Sequence, residues 1–283
     1  MTEQIRSFLF QQLTTAIDSV KEGWRVLRLK GPSKITFWFI ALLIGIAAGF
    51  AALFFRKGIN WLQQTLYGTD DVQHLHSFIS GLEWYWIVLI PTIGGLVSGL
   101  ILHHFTKDAR ARSVADVIVG SALHEGRVET RAGLASAFAS LVTLGTGGSS
   151  GREGPVVHLA AMIATRVSRR INADGITGRD LLGCAVAAAV SASFNAPIAG
   201  ALFALEVVLR HFAVHAFAPI VIASVAGTVI NRLEFGGVTE FKLPTMGDLQ
   251  FYVELPAFLL LGWTCGCLLH KSAAADEANS DMP

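Results

Sequence analysis

The run Gly145-Thr146-Gly147-Gly148-Ser149-Ser150-Gly151-Arg152-Glu153-Gly154-Pro155 gathers the groups with the most chemical reach in this chain. It leads into the apolar Val156-Val157-His158-Leu159-Ala160-Ala161. Proline fits the first turn of a helix, where its missing N–H has no intrahelical partner. The glycines before it let backbone N–H groups converge, and with the positive end of the helix dipole these form an anion site. Glu153 stands at that entrance. Its carboxylate is itself an anion and can occupy the site, and protonating or swinging it away would free the place for a mobile anion. That is the behaviour of a gate. The plainer role is a carboxylate that only stabilises the helix N-terminus, but an intramembrane carboxylate is costly without a purpose, which favours the gate. Arg152 reads as an ion-pair or interface residue before it reads as a ligand. A second break, Ser193-Phe194-Asn195-Ala196-Pro197, ends one apolar stretch and opens another with proline in the same role. The candidate anion-binding set is therefore Gly151, Arg152, Glu153, Gly154, Pro155, Phe194, Asn195, Ala196 and Pro197.

Other chemistries fit less well. Gly147-Gly148-Ser149-Ser150-Gly151 satisfies the G-x-S-x-G pattern of a serine nucleophile, and nine histidines offer a base. A nucleophile elbow needs a preceding strand, whereas Leu134 to Leu144 is Ala-rich and helical in composition, and His158 reads as a helix-packing residue. No Gly-Lys-Ser/Thr follows the glycines, which excludes a Walker loop. Cys184, Cys265 and Cys267 sit in apolar stretches, and the C-x-C pair lacks a second ligand pair, so neither a metal nor a cofactor is expected.

The elements that must position these residues are membrane helices. Hydrophobic residues make up 52% of the 283 and charged ones 15%, with mean hydropathy +0.53. So few charges cannot cover a water-facing surface, and a formal net charge of +1 cannot hold nucleic acid by counterion release. Residues 1–34 alternate charge with Ile5, Phe8, Leu9, Leu13, Ile17, Val20, Trp24 and Leu27 at helical spacing, the pattern of an amphipathic helix on a membrane surface. A first span is expected from Thr36 to Phe55, with Gly45-x-x-x-Gly49 allowing another helix close approach. A second is expected from Trp84 to Phe105, anchored by Trp84, Tyr85 and Trp86. Basic residues before the first span and at Lys107, Arg110 and Arg112 after the second put the N-terminus in the cytoplasm, while the loop with Asp70 and Asp71 lies outside. Beyond residue 110 the apolar stretches (132–144, 155–167, 181–194, 197–209, 213–230) are mostly too short to span. Broken helices at membrane depth survive only where they are buried in protein or line a polar cavity.

Gly151-Arg152-Glu153-Gly154-Pro155, taken with Phe194-Asn195-Ala196-Pro197-Ile198-Ala199-Gly200-Ala201-Leu202-Phe203-Ala204-Leu205-Glu206, resembles the CLC family of chloride channels and chloride/proton antiporters. The resemblance runs from about residue 35 to 270, leaving 271–283 as a polar tail of disordered composition. It implies an all-α integral membrane fold, a bundle of tilted, broken transmembrane helices forming one of two inverted-topology halves. It further implies a homodimer, a chloride pathway in each subunit, residence in a bacterial-type plasma (inner) membrane, and Glu153 as the gating glutamate. Three departures matter. The family's earlier anion loop, G-S-G-I-P-E, falls at Ala111-Arg112-Ser113-Val114-Ala115-Asp116, so Arg112 stands where the coordinating serine is expected. Ser113 shifted by one residue, or Arg112 acting through its charge, are the available substitutes. Family antiporters commonly carry a second glutamate after the position of Glu206, where this chain has Val207; valine cannot relay a proton, so a channel-like or uncoupled conductor follows. Glu206 itself reads equally as a structural hydrogen-bonded carboxylate or a functional one. Finally, the family's second half is not matched, so a conducting unit calls for a partner half or a second copy. A non-conducting assembly subunit is the alternative.

Overall fold

The computed structural model describes residues 34–68, 83–210 and 214–236, together with 256, 259–264 and 267. The amphipathic stretch before Lys34, the Asp70–Asp71 loop, Cys265 and the polar tail lie outside the described residues. Two compact units are present, residues 1–240 and 241–283. In the second, Leu259, Leu260, Leu261 and Trp263 are helical and exposed.

The first unit is helical throughout its described elements: α1 (Lys34–Tyr67), α2 (Trp84–Phe105), α3 (Val114–Leu123), α4 (Thr130–Gly145), α5 (Glu153–Ile171), α6 (Gly175–Phe194), α7 (Pro197–Phe203) continuing into a π-helical turn (Ala204–Leu209), and α8 (Val214–Phe235). Three of these, α1, α2 and α8, are long and apolar enough to cross a membrane. The second span matches its expected bounds. The first does not stop at Phe55: α1 has 34 residues and is about 51 Å long, well beyond a hydrocarbon core of roughly 30 Å. Arg56 and Lys57 ended the apolar run in the sequence, yet both find partners at the end of α8. Arg56 lies over the Phe235 ring, 4.2 Å from its centroid, and Lys57 pairs with Glu234. The last apolar stretch was also underestimated, since α8 reaches Phe235 with 22 residues.

The core is built on small residues. Ala185, Val186, Ala187, Ala188 and Ala189 of α6 are fully buried, and α6 packs against α1, α5, α7 and α8. In a bilayer helix association rests on close packing, which small residues permit. The expected Gly45-x-x-x-Gly49 does this work against α8. A Cβ on Gly45 would stand 2.7 Å from the Ala223 Cα, and one on Gly49 3.0 Å from the Gly227 Cα. Gly227 in turn lies against the backbone of Ala188. The motif thus meets a second small-x-x-x-small pair, Ala223 and Gly227, and joins α1, α8 and α6 at backbone distance.

Candidate functional site

The Gly-rich run begins where α4 ends. Gly147 adopts φ +86°, a left-handed conformation that glycine enters without steric cost, and the Gly148 N–H donates to the Thr143 carbonyl at 2.8 Å. The end of α1 holds this turn: the buried Tyr67 hydroxyl donates to the Thr146 carbonyl at 2.9 Å, and Gln63 Nε2 donates to the Leu144 carbonyl at 3.2 Å. Neither residue was expected to matter, because both lie beyond the point where the apolar pattern ended. Ser149 sits in the exposed part of the loop. The His158 ring is directed elsewhere, with Nε2 3.3 Å from the Glu129 carbonyl, and packs where Gly133 leaves room for it.

Glu153 is the first residue of α5 and Pro155 lies in that first turn, so the opening N–H groups keep no intrahelical partner. The half-buried carboxylate folds back over Gly151, where an added Cβ would stand 2.8 Å from Glu153 Oε2. In front of it lies a cavity of about 340 Å³ whose wall includes Arg56, Asn60, Gln63, Ser150, Arg152 and Glu153. Two guanidiniums and a carboxylate therefore share one polar recess at a helix N-terminus. Gly154 faces the start of α3, within 3.6 Å of the Ser113 Cα measured from where its Cβ would be.

The second break adjoins the first, because Arg152 Nη2 donates to the Ser193 carbonyl at 3.4 Å. Asn195 ends α6 in the left-handed conformation (φ 55°), and its Oδ1 accepts from Arg232 Nε at 2.6 Å. Pro197 opens α7. The turn is secured by two buried hydroxyls not singled out in the sequence: Ser191 Oγ lies 2.6 Å from Ser224 Oγ, which donates to the Pro197 carbonyl at 2.5 Å. Gly200 is required beside them, since an added Cβ would collide with Ser191 Oγ.

Arg112, offered by the sequence as a charge that could attract an anion, stands in an ion-pair cluster. Its side chain is only 13% exposed and is held by three carboxylates: Asp108 at 3.3 Å, Asp116 at 3.4 Å and Glu129 at 3.0 Å. Arg110 adds a contact to Asp116 at 2.6 Å, so this cluster carries one carboxylate more than it has guanidiniums. Ser113 serves as the N-cap of α3 in a capping box, its N–H donating to Asp116 Oδ2 at 2.7 Å. That arrangement satisfies helix-end donors which would otherwise be available to a ligand. Glu206, read equally as a structural or a functional carboxylate, is exposed and makes no hydrogen bond to a described residue. The π-helical turn adds a residue to the helical repeat and leaves Glu206 and Val207 on an open face with Ile198 and Leu202.

Comparison with known proteins agrees with this architecture. The family model described as voltage gated chloride channel matches residues 94–270. The chain is 33% identical over 231 residues to a putative chloride channel protein ClcB-like from Ralstonia nicotianae, covering 80% of this chain and 53% of that protein. It is 31% identical over 260 residues to chloride channel protein CLC-e of Arabidopsis thaliana, covering 85% and 36%. Among solved structures, a CLC-type fluoride/proton antiporter superposes with a TM-score of 0.59 at 26% identity, over 78% of this chain and 52% of that one. A slow cyanobacterial Cl−/H+ antiporter shares the fold, with a TM-score of 0.66 at 20% identity over 82% and 54%. The chain spans about half the length of the bacterial relative and about a third of the plant one. With its helix order, its two Pro-opened breaks and these matches, this membrane chain belongs to the voltage gated chloride channel family.

Proposed function

We propose that this chain supplies the gated half of a chloride pathway, with Glu153 as the gate. The observation that carries the reading is the Glu153 carboxylate at the first position of α5, folded over Gly151 and bordering a polar recess with Arg56 and Arg152. The unpartnered N–H groups and the dipole at this helix end favour an anion, and the carboxylate and a mobile anion compete for the same place. Protonation removes the competitor. The anion assigned is chloride, the ion named for the bacterial and plant relatives.

Val207 in place of an inner carboxylate supports uncoupled, channel-like conduction, since an apolar side chain can neither hold a proton nor organise water beside it. The chain works as a homodimer or with a partner supplying the remaining half, in a bacterial-type inner membrane with its N-terminus in the cytoplasm. The basic residues flanking the first two spans support that orientation.

The test is reconstitution into liposomes with a complementing C-terminal half, recording chloride efflux and internal pH together. Efflux should rise as pH falls, and Glu153→Gln should be open at every pH, because a neutral amide competes poorly for a helix N-terminus. Unchanged pH dependence in Glu153→Gln removes the gate role. Uphill proton movement driven by a chloride gradient removes the uncoupled reading, and absence of flux in the complemented protein leaves the assembly-subunit role.

A further inference from the structure

Basic side chains from three helices converge on one cavity away from the Glu153 recess. His103 and His104 close α2, Lys107 follows it, Arg131 stands in the first turn of α4, and Arg169 in the last turn of α5. All five line a cavity of about 570 Å³ in which Glu129 is the one acidic side chain among the described residues. Cations at the ends of α2 and α5 suit the negative ends of those helix dipoles. That explanation fails for Arg131, which sits at the positive end of α4. Glu129, the N-cap of α4, does not compensate: its side chain makes no cap hydrogen bond and is drawn to Arg112 at 3.0 Å. Among the described residues no carboxylate pairs with Lys107, Arg131 or Arg169. The cavity therefore combines a surplus of positive charge with an uncapped helix N-terminus, a pairing that suits a phosphate group.

What flanks the cavity decides the source of that phosphate. It opens beside the end of a spanning helix whose outer side no described residue covers: Leu96 is 64% exposed, Leu100 60% and Phe105 49%. Arg131 lies over the Phe105 ring at 5.9 Å, which keeps its guanidinium at the boundary between apolar flank and polar cavity. A basic pocket between helices at the end of a span is the setting in which anionic headgroups bind. We propose that this cavity holds the phosphate of an anionic phospholipid whose acyl chains lie along α2.

The test measures lipid retention by the full chain in native mass spectrometry, with phosphatidylglycerol, phosphatidylcholine and inorganic phosphate as probes. The wild type should retain phosphatidylglycerol over phosphatidylcholine. The combined variant Lys107→Gln, Arg131→Gln, Arg169→Gln should lose affinity by about a hundredfold, at roughly fivefold for each cation removed. Arg169→Gln alone should lose about fivefold, which keeps the proposal testable if the combined variant does not fold. Arg166→Gln, a neighbouring arginine on α5 outside the cavity, should bind as the wild type does. Equal retention of the two lipids, or undiminished phosphatidylglycerol binding in Arg169→Gln and the combined variant, overturns the site. Full displacement of the lipid by millimolar inorganic phosphate overturns the lipid assignment in favour of a soluble anion.

Discussion

Replacing Gly45 by alanine tests whether backbone-distance packing of α1 on α8 holds the scaffold. The added Cβ would stand 2.7 Å from both the Cα and the carbonyl oxygen of Ala223, against the 3.4 Å at which such contacts become ordinary. Both are backbone atoms, so no rotamer change relieves the clash and the helices must separate. Overpacking of this kind costs about 1–3 kcal/mol. Alanine also gains about 1 kcal/mol over glycine in helix propensity, so the net destabilisation of Gly45→Ala is about 0–2 kcal/mol. Gly95 on α2 is the internal control, because nothing lies within 4 Å of its added Cβ. Gly95→Ala should therefore keep the whole gain of about 1 kcal/mol. The two variants should differ by about 1–3 kcal/mol, roughly fivefold to more than a hundredfold in the unfolding equilibrium. Reversible unfolding in mixed micelles, titrated with a denaturing detergent and followed by helical circular dichroism, reads the difference. Equal stability of Gly45→Ala and Gly95→Ala would show that the contact is not tight, and would refute the argument.

Two further outcomes follow from the site. Gly151→Ala places a methyl 2.8 Å from Glu153 Oε2; the carboxylate should be pushed off the loop, shifting the pH at which efflux rises while the unfolding midpoint stays close to wild type, and an unchanged pH profile would count against the folded-back carboxylate. Arg112→Gln leaves Asp108, Asp116 and Glu129 without their shared cation, and should destabilise the chain by about 1–3 kcal/mol at neutral pH. Against the upward push of burial, the backbone N–H of Ser113 and the neighbouring Arg110 and Arg112 hold the Asp116 carboxyl below its ordinary value. The stability it contributes is therefore present at neutral pH and lost as pH falls through that lowered value, and the deficit of Arg112→Gln should shrink on acidification; thermal unfolding at neutral and acid pH checks it.

The legible parts of this chain were those encoded locally. Pro155 and Pro197 each punctuate an apolar pattern, and both lie in the first turn of a helix as that pattern requires. Gly45 and Gly49 announced a close contact without naming its partner, which is supplied by Ala223 and Gly227 far along the chain. The supports of the loops were not legible. Tyr67 reaches the Thr146 carbonyl across 79 positions, and Ser191 meets Ser224 across 33. A tyrosine or serine in a helix gives no sign of its partner until the helices are packed. Arg56 and Lys57 misled for the opposite reason: charge usually closes a span, but a ring and a carboxylate on α8 accommodate them inside α1.

On the proposed reading of Glu153 as a gate, the two faces of its site would act on an anion in opposite senses. On one side the recess brings Arg56 and Arg152 to the start of α5, and a guanidinium in a partly desolvated recess acts more strongly on a passing anion than it would in bulk water. On the other side, beyond Gly154, the chain enters the Arg112 cluster, where three carboxylates outnumber two guanidiniums and Ser113 is committed to capping α3. On the proposed gate reading, an anion at the start of α5 would meet attraction on the Arg56 side and a mild electrostatic barrier on the Arg112 side. That barrier would change if Glu129 were drawn off Arg112. Glu129 is also the acidic wall of the basic cavity that Lys107, Arg131 and Arg169 share. A phosphate bound there would repel the Glu129 carboxylate and strengthen its hold on Arg112, so that occupancy of the cavity and the charge felt at α3 are coupled through a single side chain.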